Sequence, residues 1–330
     1  MSFKKSEMML YLIEVLQKYT DENNQLSSRE ITDLLNDQLG QPAEIAQHTV
    51  TRYLKELESY RTFLIESFKE KEGVPIKYFY DGRLFELHEL RIMMDAIVSA
   101  GVLTKSDKKT IISKIQQLTS QPLAQKLENQ VHINEISSSD NAGVKYYIYH
   151  IHNAIHEQKV IEFLYGKYDA HKQIIYSNEG KMRRLEPYAL HWDNDNYYLI
   201  GKNMDGDIRH FRIDRIKEVK VTEETFTKDP YFDATAYTEK LFNMFTGEVK
   251  FLKIKFANEL INPILDRFGL DANIEPYDED TFLLRTEAAI SAGLISWILK
   301  WGSKAKVIDP VDVAEQIKLE AKKTLAFYED

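Results

Sequence analysis

Arg183, Arg184, Arg209, His210, Arg212 and Arg215 fall close together in a stretch that also carries Trp192, Tyr197 and Tyr198. Guanidinium groups are planar forks that match phosphate oxygens, and aromatic faces accept stacked bases. On neighbouring strands, these side chains would make a receptor for a ligand bearing phosphates and bases. The chain around them is acidic, with a formal net charge of −9. The basic island is therefore not part of a general cationic coat, and any contact with nucleic acid must be local. A second set of polar and basic side chains lies nearer the N-terminus: Gln47, His48, Thr49, Thr51, Arg52 and Lys55, followed by Lys69, Lys71 and Lys77. On a helix in a major groove, Arg, Gln and Thr read base edges while Lys contacts phosphate.

Other chemistries find little support. The absence of cysteine excludes disulfides, thiol nucleophiles and cysteine-ligated metals, and fits a reducing compartment, the cytoplasm. His152 and His156 stand one helical turn apart, with His150 beside them, as zinc ligands can. Asn153-Ala154-Ile155 between them lacks the glutamate base of a zinc protease, so a polar helix face is the better reading. No glycine-rich phosphate loop or G-x-S-x-G elbow occurs. The expectation is a protein that is not an enzyme and needs no cofactor or metal.

At 330 residues the chain is long enough for two or three modules, and no apolar run approaches the roughly 20 residues of a membrane span. The opening Lys4 to Tyr19 carries Met8, Met9, Leu12, Ile13, Leu16 and Tyr19 at three- and four-residue steps, which predicts a first helix, not a signal peptide. Ser27 or Ser28, followed by Glu30 or Ile31, reads as the N-cap of a second helix holding Ile31, Leu34, Leu35 and Leu39, stopped by Gly40 and Pro42. A third helix runs through Ser59, with Ile45, Val50, Leu54 and Leu57 inward and the polar set above outward. Two β-rich runs around a charged, glycine-containing turn then read as a hairpin. Residues 1–82 are thus expected to form a winged helix-turn-helix. Glu56, Glu58, Glu66, Glu70 and Glu72 crowd the same surface, which keeps open a winged helix that makes only protein contacts.

Residues 83–143 read as helical linkers, with Leu84, Leu87, Leu90, Ile92, Met93 and Ile97, then Ile111, Ile112, Ile115 and Leu118, and a polar boundary near 129–143. Residues 144–228 open on a helix and continue as short strands punctuated by Asn178-Glu179-Gly180, Asp193-Asn194-Asp195 and Asp205-Gly206, a β-meander that closes into a small barrel. Strand alternation points Trp192, Leu199, Phe211 and Ile213 inward and sends Tyr197 and Tyr198 to opposite faces, so only one of these tyrosines can line a groove. Asp214 and Glu186 are at hand to pair some of the arginines. Residues 248–330 alternate strand and helix, with Leu252, Ile254 and Phe256 on one face, and predict an α+β module.

Arg184, Glu186-Pro187, Tyr197-Tyr198-Leu199, Arg209, Phe211, Arg212 and Asp214-Arg215-Ile216 together resemble the core of the WYL family, with Tyr197 where the family has Trp. Trp297, Gly302 and Pro310 lie in a segment that resembles the C-terminal extension found behind WYL domains. The resemblance implies a multidomain α+β bacterial transcription regulator with an SH3/Sm-like barrel. It also implies a basic groove for a nucleic-acid fragment or nucleotide effector, a homodimer, a C-terminal extension that makes dimer contacts and flanks the groove with Arg285 as a candidate contributor, and an association with phage defence or DNA-damage responses. The expected partners are duplex operator DNA, the effector and a second copy, with no membrane. A non-regulatory module that binds single-stranded nucleic acid is the open alternative.

Overall fold

In a computed structural model, residues 4–40, 45–128 and 143–329 are described. The stop expected at Pro42 and most of the boundary at 129–143 lie outside them. The chain forms two compact units, Met1–Asp140 and Asn141–Asp330, so the head and the linker helices expected as separate segments share one unit.

In the first unit, helix α1 (Lys5–Tyr19), strand β1 (Leu26–Ser27), helix α2 (Ser28–Leu39), helix α3 (Gln47–Ser59) and strands β2 (Ile65–Phe68) and β3 (Lys77–Tyr80) follow in order. The start of α2 is fixed by a reciprocal cap: Ser27 Oγ accepts from the Glu30 amide at 3.3 Å, and the Glu30 carboxylate accepts from the Ser27 amide at 2.7 Å. The Ser27 amide, together with the Ser27 hydroxyl that donates to the same carboxylate at 2.7 Å, holds the Glu30 pKa below its ordinary value. Gly40, at φ 64°, ends the helix. Leu12, Leu16, Ile31, Leu35, Val50, Leu54 and Leu57 are fully buried in one core, to which Ile65 and Tyr78 of the antiparallel sheet β1-β3-β2 contribute.

Helices α4 (Leu87–Ser99), α5 (Lys105–Gln116) and α6 (Gln121–Glu128) follow, packed around Leu90, Met94, Ile112 and Leu127. Leu84 and Ile92, expected on the apolar stripe, are exposed instead, because α4 begins after Leu84 and turns Ile92 away from the Leu90–Met94 face. These helices are joined to the end of α1 by polar groups. Buried Ser120 Oγ donates to buried Asp21 at 2.5 Å, and the Arg83 guanidinium donates to the carbonyls of Gln17 and Thr20 at 2.8 and 2.5 Å.

The second unit opens on α7 (Val144–Glu157). Strands β4 (Lys159–Tyr168), β5 (Ile174–Tyr176), β6 (Arg183–Asp193), β7 (Asn196–Asn203), β8 (Ile208–Arg212) and β9 (Ile216–Thr225) then build a curled antiparallel sheet. The β6-β7 and β7-β8 hairpins match the expected meander, but β9 does not continue it. A single 3₁₀ turn at Ile213–Arg215 redirects the chain so that β9 pairs with β4, which leaves β8 paired only with β7. Phe163 is fully buried and meets the Phe211 ring edge-on at 5.0 Å. Phe163→Ala is expected to cost about 3–5 kcal/mol in a urea unfolding titration, since aromatic truncation leaves a cavity that the sheet cannot close.

After α8 (Ala234–Glu239), strands β10 (Glu248–Ala257), β11 (Asn273–Pro276), β12 (Thr281–Ile290) and β13 (Ala305–Asp309) form a sheet of order β11-β12-β10-β13. It packs with α9 (Ile261–Phe268), α10 (Ala292–Leu299) and α11 (Val311–Phe327). Leu252, Ile254 and Phe256 are fully buried on its inner face, as the alternation required.

Candidate effector cavity and polar helix face

The curled sheet carries a cavity of about 850 Å³, within the ~300–1,000 Å³ typical of ligand sites. Arg183 and Arg184 reach it from β6, Tyr198 from β7, and Arg209, His210, Phe211 and Arg212 from β8, with Arg215 just beyond. Four consecutive residues of one strand line it because β8 is a free edge, so both of its faces border the same space. Tyr165, Lys167 and Ser177, which sequence reasoning did not single out, complete that wall. They sit around the β4-β5 hairpin, and only its register beside β6 brings them to the arginines.

The arginines are not equivalent. Arg184 pairs with Glu162 at 3.3 Å and with Glu224, while Arg209 pairs with Asp207 at 2.7 Å. Arg212 donates twice to Asp214, at 3.1 and 2.9 Å. Burial works against the Arg212 charge, but the Asp214 bonds outweigh it and hold its pKa above the ordinary value. Glu186, the other expected partner, makes none of these ion pairs. Arg183 donates to the Ser177 hydroxyl at 3.0 Å and lies 5.7 Å from the Phe211 ring centre. Among the described residues, neither Arg183 nor Arg215 has a carboxylate partner.

The two tyrosines separate as alternation requires. Tyr198 lines the cavity, and burial, only partly offset by Arg212, raises its pKa so that it stays a neutral hydroxyl. Tyr197 is not among the lining residues and packs edge-on against Trp192 at 4.7 Å. Leu199, Phe211 and Ile213 are buried as expected, whereas Trp192 is 40% exposed. It occupies the penultimate rung of the hairpin, opposite Tyr197, past the limit of the core.

Both ring nitrogens of His210 are engaged, Nδ1 with the Met244 carbonyl at 2.8 Å and Nε2 with the Tyr237 hydroxyl at 3.1 Å. Burial is the main cause of its lowered pKa, with the Met244 carbonyl opposing and His191 adding to it. The neutral tautomer that donates from Nδ1 and accepts at Nε2 satisfies both neighbours. Folding therefore disfavours protonation at this site. Its contribution to stability is complete above the ordinary imidazole value of 6.5 and is lost as pH falls from there toward the lowered folded value. Melting curves from about pH 7.5 to about pH 5.5 should show a decline that His210→Gln flattens.

In the first unit, Gln47, His48, Arg52 and Lys55 of α3 are exposed, and Thr49 and Thr51 are half-buried. Gln47 Nε2 donates to Ser28 Oγ at 3.2 Å, Thr51 Oγ1 donates to the Gln47 carbonyl at 2.9 Å, and the Arg52 guanidinium lies 5.0 Å from the Tyr53 ring centre. Lys69 and Lys71 are exposed in the β2-β3 loop, and Lys77 begins β3. Two of the acidic neighbours are already engaged: Glu56 pairs with Lys5, and Glu58 accepts from Ser67, both at 2.5 Å. Arg285 on β12 pairs with Glu275 and does not line the cavity. No helix among the described residues is long and apolar enough to cross a membrane.

The WYL domain model matches residues 147–221, and the WCX domain model matches residues 250–325. Among solved structures, the chain is similar to proteasome accessory factor B/C (PafBC) of Arthrobacter aurescens, at 14% identity and a TM-score of 0.27. That match covers 94% of this chain, which spans 46% of the length of the other. The arginines that line the cavity thus lie within a WYL domain, and the α+β module behind it is a WCX domain.

Proposed function

We propose that the chain is a DNA-binding transcriptional regulator, gated by a nucleic-acid fragment or nucleotide held in the WYL cavity. The observation that carries this reading is the convergence of Arg183, Arg184, Arg209, Arg212 and Arg215 on one cavity beside Tyr198, in a chain whose net charge is −9. Clustered guanidinium groups bind phosphate well, and a neighbouring aromatic face accepts a base. In this reading the curled sheet is an SH3/Sm-like small barrel and the cavity is its ligand groove. The N-terminal head is a winged helix-turn-helix, in which α3 enters the major groove and the β2-β3 hairpin is the wing. The active species is a cytoplasmic homodimer reading two half-sites, as two-fold symmetry dictates.

The test is fluorescence anisotropy at fixed salt on labelled duplex from the gene's own upstream region, with and without short single-stranded oligonucleotides and nucleotides. Specific duplex binding that changes when one of these ligands is added supports the reading. Oligonucleotide binding with no duplex preference at any salt sinks it in favour of a non-regulatory nucleic-acid-binding module.

A further inference from the structure

Between the segments matched by the two domain models, the chain makes a tight turn at Phe242–Phe245, closed by the Phe245 amide donating to the Phe242 carbonyl at 3.1 Å. Asn243 and Met244 are both left-handed, at φ 52° and 57°. This conformation suits Asn at the first central position and strains Met at the second. The turn persists because it is anchored on two sides. Phe242 is buried against Trp297 at 4.9 Å, and its carbonyl lies so near Gly293 that a Cβ there would stand 2.2 Å from it. Met244 is buried with Ile200, Leu241 and Ala289, and its carbonyl accepts the His210 bond. The anchors alternate with two exposed side chains, Asn243 and Phe245, and both line the arginine cavity. No hydrogen bond engages the Asn243 amide among the described residues.

We propose that this turn is the base-reading element of the cavity. The WYL strands hold the phosphates of the effector, while Phe245 stacks on a base and the Asn243 amide, with donors and an acceptor, meets its edge. His210 acts as a positioning residue, fixing the turn through the Met244 carbonyl. The inference rests on the proposed nucleic-acid ligand and narrows it. The effector must carry a base, and its discrimination resides outside both matched domains, in the strap that joins them.

The test compares binding of the full chain to a short oligothymidylate, an oligoadenylate and an abasic phosphodeoxyribose oligomer of equal length. Wild type is expected to prefer a base-bearing oligomer to the abasic one by about tenfold. Asn243→Gly, which the left-handed backbone accepts, with Phe245→Ala should erase that preference and leave abasic binding unchanged. Both substitutions are at exposed positions, and an unaltered melting curve confirms that the fold is intact. If the double variant keeps the preference, the turn does not read the base, and the functional proposal stands without it. If wild type binds none of the three oligomers, the nucleic-acid reading of the cavity falls and this inference falls with it.

Discussion

Replacing Arg183 and Arg215 together by alanine is expected to weaken binding of a short single-stranded oligonucleotide to the WYL cavity by a hundredfold or more. Hydrogen bonds to charged groups contribute about 1.5–3 kcal/mol each, so losing two amounts to roughly two decades or more in affinity. These two arginines are chosen because neither has a carboxylate partner among the described residues, whereas Arg184, Arg209 and Arg212 each do. A paired guanidinium must give up or share its carboxylate to serve a phosphate, and its removal also frees that carboxylate. Arg209→Ala should therefore have the smaller effect. Isothermal titration of the intact chain measures both. Equal losses for all five arginines would instead describe a diffuse electrostatic surface with no defined seats.

The second large effect concerns the head. Arg52→Ala with Lys55→Ala should lower duplex affinity about a hundredfold at fixed salt, because one base-edge and one phosphate contact are removed. The salt slope should become shallower by about 0.9 for the lost phosphate contact. Oligonucleotide binding to the cavity should not change. Arg52 and Lys55 are exposed and make no ion pair among the described residues, so their replacement leaves the core around Val50, Leu54 and Leu57 intact. Undiminished duplex binding by this variant would leave protein contacts as the role of α3.

Much of this arrangement was legible in the residues, for identifiable reasons. Turn residues marked the β5-β6, β6-β7 and β7-β8 junctions of the WYL sheet, and Asn194-Asp195 does take the left-handed pair that a two-residue hairpin needs. The basic side chains lay close in sequence on hairpins, so pairing β6 with β7 and β7 with β8 sufficed to bring most of them together. What pattern could not reveal depends on tertiary pairing. The return of β9 to β4 is set by a 3₁₀ turn with no sequence mark of its own. The four residues of β11 form an edge strand ending at Pro276, too short for alternation to register. Asn243 and Phe245 lie in a stretch with no periodicity, and only the burial of their neighbours Phe242 and Met244 places them at the cavity. Trp192 was misplaced because alternation predicts a face but not how far along a hairpin the core extends.

The junction between Asp21 and Ser120 bears on how such proteins can be recombined. A chimera made by grafting a foreign head at the end of β3 would separate Asp21 from Ser120 and remove Arg83 from the carbonyls that close α1. The buried Ser120 hydroxyl would lose its carboxylate acceptor and the Arg83 guanidinium its carbonyl acceptors, a combined loss of about 2–4 kcal/mol. Head exchange that respects the molecule must carry α4, α5 and α6 along and place the seam beyond Glu128. The unit of inheritance in this architecture is then the head together with its three helices.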